Sequence, residues 1–170
     1  MKKALILIIV LSLTTVALTA AVAGTGSLNV YGKIVAGDIT FSVNQILEST
    51  SRIDLIENTD VQPSGNGVTV GSWEFDAVNQ GSTAGYTLTY TYGTLTEGTT
   101  DIAYELLVSD GTTSTALDSG DTTTFTASVG NYNIERTVLV RLTSAGATAA
   151  AGAPASSNYN STIDLELTTP

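Results

Sequence analysis

Tyr86-Thr87-Leu88-Thr89-Tyr90-Thr91-Tyr92 decides the fold. Large apolar or aromatic side chains hold every second position, and threonine holds the positions between them. Successive side chains of an extended chain point to opposite faces, so this segment reads as a strand with one face buried and one face wet. One-sided burial belongs to antiparallel sheets, because parallel strands covered on both faces read as continuous apolar runs. Threonine suits the wet face: its branched Cβ packs on a pleated surface and loses rotamer freedom in a helix. The chain carries 29 threonines in 170 residues, 26 of them after residue 23.

The same period of two recurs on either side of this segment, with turn residues between the runs. Toward the N-terminus, Leu28, Val30 and Ile34 share one parity, Ile39, Phe41 and Val43 follow Gly37-Asp38, and Ile53 and Leu55 alternate with polar neighbours. Residues 58–67 hold Pro63, Gly65 and Gly67 and read as a loop. Val68 and Val70 lie on one parity and Trp73, Phe75 and Ala77 on the other. One extra residue near Gly71-Ser72, a β-bulge, would put all five on one face, and a tight turn is the competing reading. Toward the C-terminus come Ile102, Tyr104, Leu106 and Val108, then Phe125, Ala127 and Val129, then Val138, Val140 and Leu142, and last Ile163, Leu165 and Leu167. Residues 145–158 (AGATAAAGAPASSN) are of low complexity and contain Gly146, Gly152 and Pro154, which predicts a loop rather than a helix. Residues 45–51 have room for a single helical turn. The sum is an all-β chain of about 8–9 short strands in an antiparallel β-sandwich, with a closed barrel as the alternative.

The first 23 residues read differently. Met1, Lys2 and Lys3 precede an apolar run from Ala4 to Leu18, and Ala21-Val22-Ala23 places small residues at −3 and −1 before Gly24. This is the three-part pattern of a secretory signal peptide, with an uncleaved anchor helix as the alternative. Residues 24–170 then form one domain on the exported side, at the cell surface, in a periplasm or secreted. That mature part holds all 16 acidic residues and four basic ones, Lys33, Arg52, Arg136 and Arg141, for a formal charge of 4 − 16 = −12. A field of that sign repels nucleic-acid phosphates and anionic lipid surfaces, so neither is expected as a partner.

The chain has no cysteine and no histidine. Disulfides, thiol nucleophiles, Ser-His triads and His-bearing zinc or haem sites are therefore excluded. Paired carboxylates could still serve a glycosidase. Glu74 with Asp76, and Asp164 with Glu166, take the parity opposite to Trp73/Phe75 and Leu165/Leu167, which is the wet face. Asp110, Asp118 and Asp121 lie in a flexible stretch (DGTTSTALDSGD) that could offer oxygen ligands to calcium. Turn chemistry explains the same residues, and no cofactor is expected. Trp73, Tyr86, Tyr90 and Tyr92 share the parity of Phe75 and Leu88 and belong to the core, while Tyr31, Tyr132 and Tyr159 are the candidates for exposed aromatics. Asn160-Ser161-Thr162 is a glycosylation sequon.

Two stretches carry a likeness. Residues 26–43 (GSLNVYGKIVAGDITFSV) run from a small-residue start into L-x-V-x-G-x-I and a second strand, and residues 159–169 (YNSTIDLELTT) give a Tyr, a short turn and a final alternating strand. Both ends resemble bacterial fimbrial, pilin-type subunits and spore-coat-U-like proteins. The resemblance implies an immunoglobulin-like sandwich whose neighbours join when the N-terminal strand of one enters a groove of the next. It implies residues 24–34 as donor, with Leu28, Val30, Gly32 and Ile34 presented to the groove, and Ile163, Leu165 and Leu167 as its border. The disulfide common in those families and the aromatic near the extreme C-terminus are absent here. A monomeric sandwich that uses residues 24–35 as its own first strand fits the same residues.

The resulting expectation is a non-enzymatic structural protein that assembles through strand pairing with like subunits or another surface protein. The alternative is a monomeric secreted module that binds carbohydrate or a surface protein.

Overall fold

Within residues 38–47, 51–156 and 158–168, which the computed structural model describes, the alternation becomes ten strands and one helix. These are β1 (Ile39–Gln45), β2 (Val68–Gln80), β3 (Ala84–Tyr92), β4 (Leu95–Glu97), β5 (Thr100–Ile102), β6 (Tyr104–Ser109), β7 (Ser114–Leu117), β8 (Thr122–Ala127), β9 (Gly130–Leu142), α1 (Ser144–Gly152) and β10 (Ile163–Thr168). A five-stranded sheet has the order β1-β2-β9-β6-β7, a three-stranded sheet the order β10-β3-β8, and β4-β5 is a separate hairpin. Every pairing is antiparallel. The signal-peptide segment and the run Leu28, Val30 and Ile34 lie outside the described residues.

The two sheets pack face to face as an antiparallel β-sandwich. Trp73, Phe75 and Ala77 of β2, Val138, Val140 and Leu142 of β9, and Leu106 and Val108 of β6 form one buried inner face. Tyr86, Leu88 and Tyr90 of β3 with Phe125 and Ala127 of β8 form the other. Aromatic rings close the space between them: Phe75 meets Tyr86 at 4.7 Å and Phe125 edge-on at 4.9 Å. Offset and edge contacts of this kind add to what burial of the ring area already contributes.

The phase change in β2 is a bulge. Thr69 pairs with Leu139 and Gly71 with Val138, so Val70 is the extra residue, and Val68 and Trp73 are returned to one face.

Three expectations are corrected. Ile53 and Leu55 lie in turn and irregular chain, where the Asp54 carboxylate accepts the backbone N–H groups of Ile56 and Glu57 at 2.9 and 2.8 Å. Those two hydrogen bonds stabilise a local turn and hold the Asp54 pKa below its ordinary value. The run from Ile102 to Val108 is broken at Ala103, because Ile102 belongs to the small hairpin and Tyr104 to the large sheet. Residues 144–152 form a helix rather than a loop. Thr143 caps it by accepting the Gly146 N–H at 3.0 Å. Alanine propensity and the burial of Gly146 and Ala150 outweigh the cost of the glycines, and Pro154 lies beyond the C-cap, where it breaks nothing.

Candidate functional site

A sheet of three strands cannot cover a sheet of five. The shortfall is concentrated beside β10, the edge of the smaller sheet. Phe41 of β1 pairs with Phe75, Ile39 with Ala77 and Val43 with Trp73, so all three β1 side chains point inward with their buried partners. Ile39 is nevertheless 42% exposed and Val43 57% exposed. Among the described residues, no layer covers these apolar side chains on the core parity.

The space between β1 and β10 is a groove of about 1230 Å³. Its floor is the inner face of the five-stranded sheet, with Val70, Val138, Val140 and Tyr104. Ile163 and Leu165 of β10 form one wall, and Val43 with Leu47 the other. Ile53, Leu55 and Val61 of the 51–67 loop and Ala150 and Ala153 around α1 add to the lining. The loop is fastened to β9 by Leu142 N–H to the Val61 carbonyl at 2.7 Å and by Arg141 Nη1 to the Gly65 carbonyl at 3.1 Å. Arg141 is itself held by Glu105 at 2.7 Å. Tyr104 stacks on Tyr92 at 5.0 Å and its hydroxyl meets Ser161 Oγ at 2.9 Å, just before β10. Burial raises the Tyr104 pKa above the ordinary phenol value, which keeps it neutral.

The β10 backbone supplies the polar half of the site. Ile163, Leu165 and Leu167 pair with Tyr92, Tyr90 and Leu88 of β3 on one side, and no described strand pairs on the other. In an antiparallel ladder alternate residues direct both backbone groups toward one neighbour, so half of the β10 N–H and C=O groups face the groove. An open edge above an apolar trough is the chemistry of β-augmentation: backbone hydrogen bonds give affinity, and pockets for alternate side chains give specificity.

Of the residues singled out in the sequence, Ile163 and Leu165 line the groove, and Leu167 is half-buried farther along β10, packed on the core. Leu28, Val30, Gly32 and Ile34 lie outside the described residues. Sequence reasoning missed the part of the lining that the 51–67 loop supplies. Ile53 and Leu55 signalled it through their alternation, which serves a groove-lining loop and not a strand. Trp73, Tyr86 and Tyr90 are buried. Tyr132 is half-buried and stacks on Phe125 at 6.5 Å, and Tyr159 lines the groove with its hydroxyl donating to the Pro154 carbonyl at 3.1 Å.

The carboxylates lie elsewhere. Glu74, Asp164 and Glu166 are exposed, and Glu74 accepts Asn133 Nδ2 at 2.7 Å. Asp110 Oδ1 accepts the N–H groups of Thr112 and Thr113, each at 2.8 Å, and Asp121 accepts that of Asp118 at 2.9 Å. Each of these two carboxylates thus closes its own turn. Among the described residues no three carboxylates are grouped to hold a metal ion, and no helix is long and apolar enough to cross a membrane.

No protein-family model matches the chain, and no curated protein sequence matches it. Among solved structures it is similar to the P pilus rod subunit PapA, at 17% identity over 76% of this chain and 99% of that one, with a TM-score of 0.37. It is also similar to a chain of a chaperone-usher pilus, at 19% identity over 87% of this chain and 97% of that one, with a TM-score of 0.36. Likenesses this distant do not carry a function across, so a functional reading has to stand on the groove itself.

Proposed function

We propose that this chain is an exported, non-enzymatic structural subunit that assembles at the cell surface by β-strand pairing. Residues 24–34 of one copy add beside β10 of the next. The observation that carries this reading is that, among the described residues, five strands face three and the β10 edge has no partner above an apolar groove. One added strand supplies both things the groove lacks: partners for the β10 backbone, and apolar side chains over Val43, Val70 and Val138. Leu28, Val30 and Ile34 provide such side chains at even spacing, with Gly32 on the same parity. Seven residues from Leu28 to Ile34 match the six of β10 in reach at about 3.3 Å per residue. Lys33 is the one charge in the segment and takes the opposite parity, toward solvent.

The test separates the segment from its groove. A protein of residues 35–170 is mixed with the peptide GTGSLNVYGKI (residues 24–34). Saturable binding is expected, with a gain of about 2.7 kcal/mol in stability at a hundredfold excess over Kd, and the same peptide carrying Val30→Asp is expected to fail. Absence of any thermal shift at millimolar peptide would sink the proposal.

A further inference from the structure

Arg136 sits where the pattern of its strand calls for an apolar side chain. The inward parity of β9 runs Tyr132, Ile134, Arg136, Val138, Val140, Leu142. Arg136 pairs directly with Trp73, which is fully buried. Opposite residues of an antiparallel pair project to the same face, so the guanidinium enters the space between the sheets. Inward charges on edge strands protect against edge-to-edge aggregation. That explanation does not apply here, because β9 lies between β2 and β6. Arg136 Nη1 donates to the Glu135 carbonyl at 2.7 Å, and among the described residues the guanidinium forms no salt bridge.

Two further polar residues on core parity share a cleft with the guanidinium. Thr115 of β7 pairs with Val108, and Thr123 of β8 pairs with Leu88; both partners are buried. Three polar side chains from three strands of both sheets thus converge on a space of about 390 Å³ between the β7 and β8 edges. Asp110 stands at its rim, kept ionised by the backbone hydrogen bonds of Thr113 and Thr112, which lower its pKa. Behind Thr123, the Tyr90 hydroxyl and Trp73 Nε1 are buried next to one another, and Thr123 is the hydroxyl's polar neighbour on the cleft side. Burial raises the Tyr90 pKa, so the phenol remains a neutral donor beside Thr123 and Arg136.

We propose that this cleft binds a sugar acid, with the carboxylate on Arg136 and the ring hydroxyls on Thr115, Thr123 and Asp110. The guanidinium offers a fork of donors that matches a carboxylate. Asp110 repels a compact polyanion such as phosphate but accepts hydroxyl donors, and the threonines both donate and accept. The volume suits one or two sugar rings and lies within the usual range for small-ligand sites. The site does not depend on assembly, since β8 is the edge of its sheet opposite β10.

The test titrates the full mature chain, residues 24–170, with glucuronate, glucose and acetate by amide-resolved NMR in physiological salt. Glucuronate is expected to saturate, shifting the amides of Thr115, Thr123 and Arg136, while glucose and acetate bind at least about tenfold more weakly, as loss of a charge-assisted or a hydroxyl contact dictates. Arg136→Gln is expected to weaken glucuronate binding by about tenfold or more. Thr115→Val, on an exposed edge strand, is expected to weaken it severalfold with the melting temperature unchanged, which keeps the test decisive where Arg136→Gln perturbs the fold. No saturation, an equal response to acetate, or full affinity in Thr115→Val overturns the assignment.

Discussion

Leu165→Glu is expected to leave the subunit folded and to abolish its self-association. Leu165 pairs with Tyr90 on the inward parity of β10, yet it remains half-exposed because the groove beside it is open. In the isolated subunit a carboxylate at this position reaches water through the mouth of the groove, so the fold tolerates it. An inserted strand removes that water and leaves the charge without a partner. The cost of burying an unpaired carboxylate is several kcal/mol, and about 2.7 kcal/mol already weakens association a hundredfold. Sedimentation velocity of the variant is expected to show monomers at concentrations where the parent assembles, with an unchanged far-UV spectrum. Glu166→Gln, one residue away on the solvent face, is the control and is expected to assemble normally. Normal assembly of Leu165→Glu would mean that β10 does not border the contact.

Gly146→Val is expected to cost at least about 3 kcal/mol, at the upper end for overpacking a site that cannot relax. The reason is contact and not backbone freedom. A Cβ on Gly146 would collide with the Ala103 carbonyl oxygen and lie 2.8 Å from its carbon. That carbonyl cannot swing away: it accepts the Thr143 N–H at 3.2 Å and joins β5 to β6 at the break between the hairpin and the large sheet. The helix would have to undock, exposing Ala150 and removing one side of the groove lining. Gly152→Ala, at the other end of the same helix with nothing within 4 Å, is expected to be neutral or to stabilise by about 0.5–1 kcal/mol. Thermal melts of the two variants check both. Equal melting temperatures would show that α1 is not docked through Gly146.

What the residues disclosed tracked the strength of their alternation. β3, β8 and β10 are legible because each buries one face and wets the other, and the bulge at Val70 is legible because it leaves a phase error between Val68 and Trp73. β4, β5 and β7 are three or four residues long, too short for a period to register. α1 is illegible because an alanine run with two glycines has little preference of its own; docking of Gly146 against Ala103 stabilises it. Ile53 and Leu55 show that alternation alone does not distinguish a strand from a turn that directs apolar side chains inward. The groove was half legible. Ile163 and Leu165 announce an apolar face, but a side-chain pattern does not reveal whether the backbone beside it has a partner, because that depends on strand order. Arg136 was readable in principle, since Ile134-x-Arg136-x-Val138 sets a charge on a core parity. Its meaning required the knowledge that β9 is a central strand.

Whether residues 24–34 join copies by filling the groove beside β10 is tested most directly by mass distribution. Size exclusion with light scattering is applied to residues 24–170 and to the same protein lacking residues 24–34, each across a wide concentration range. Concentration-dependent ladders or filaments are expected from the first and none from the second. A first protein that stays monomeric at every concentration, beside a second that is unfolded, would contradict strand exchange and make residues 24–34 the sandwich's own strand.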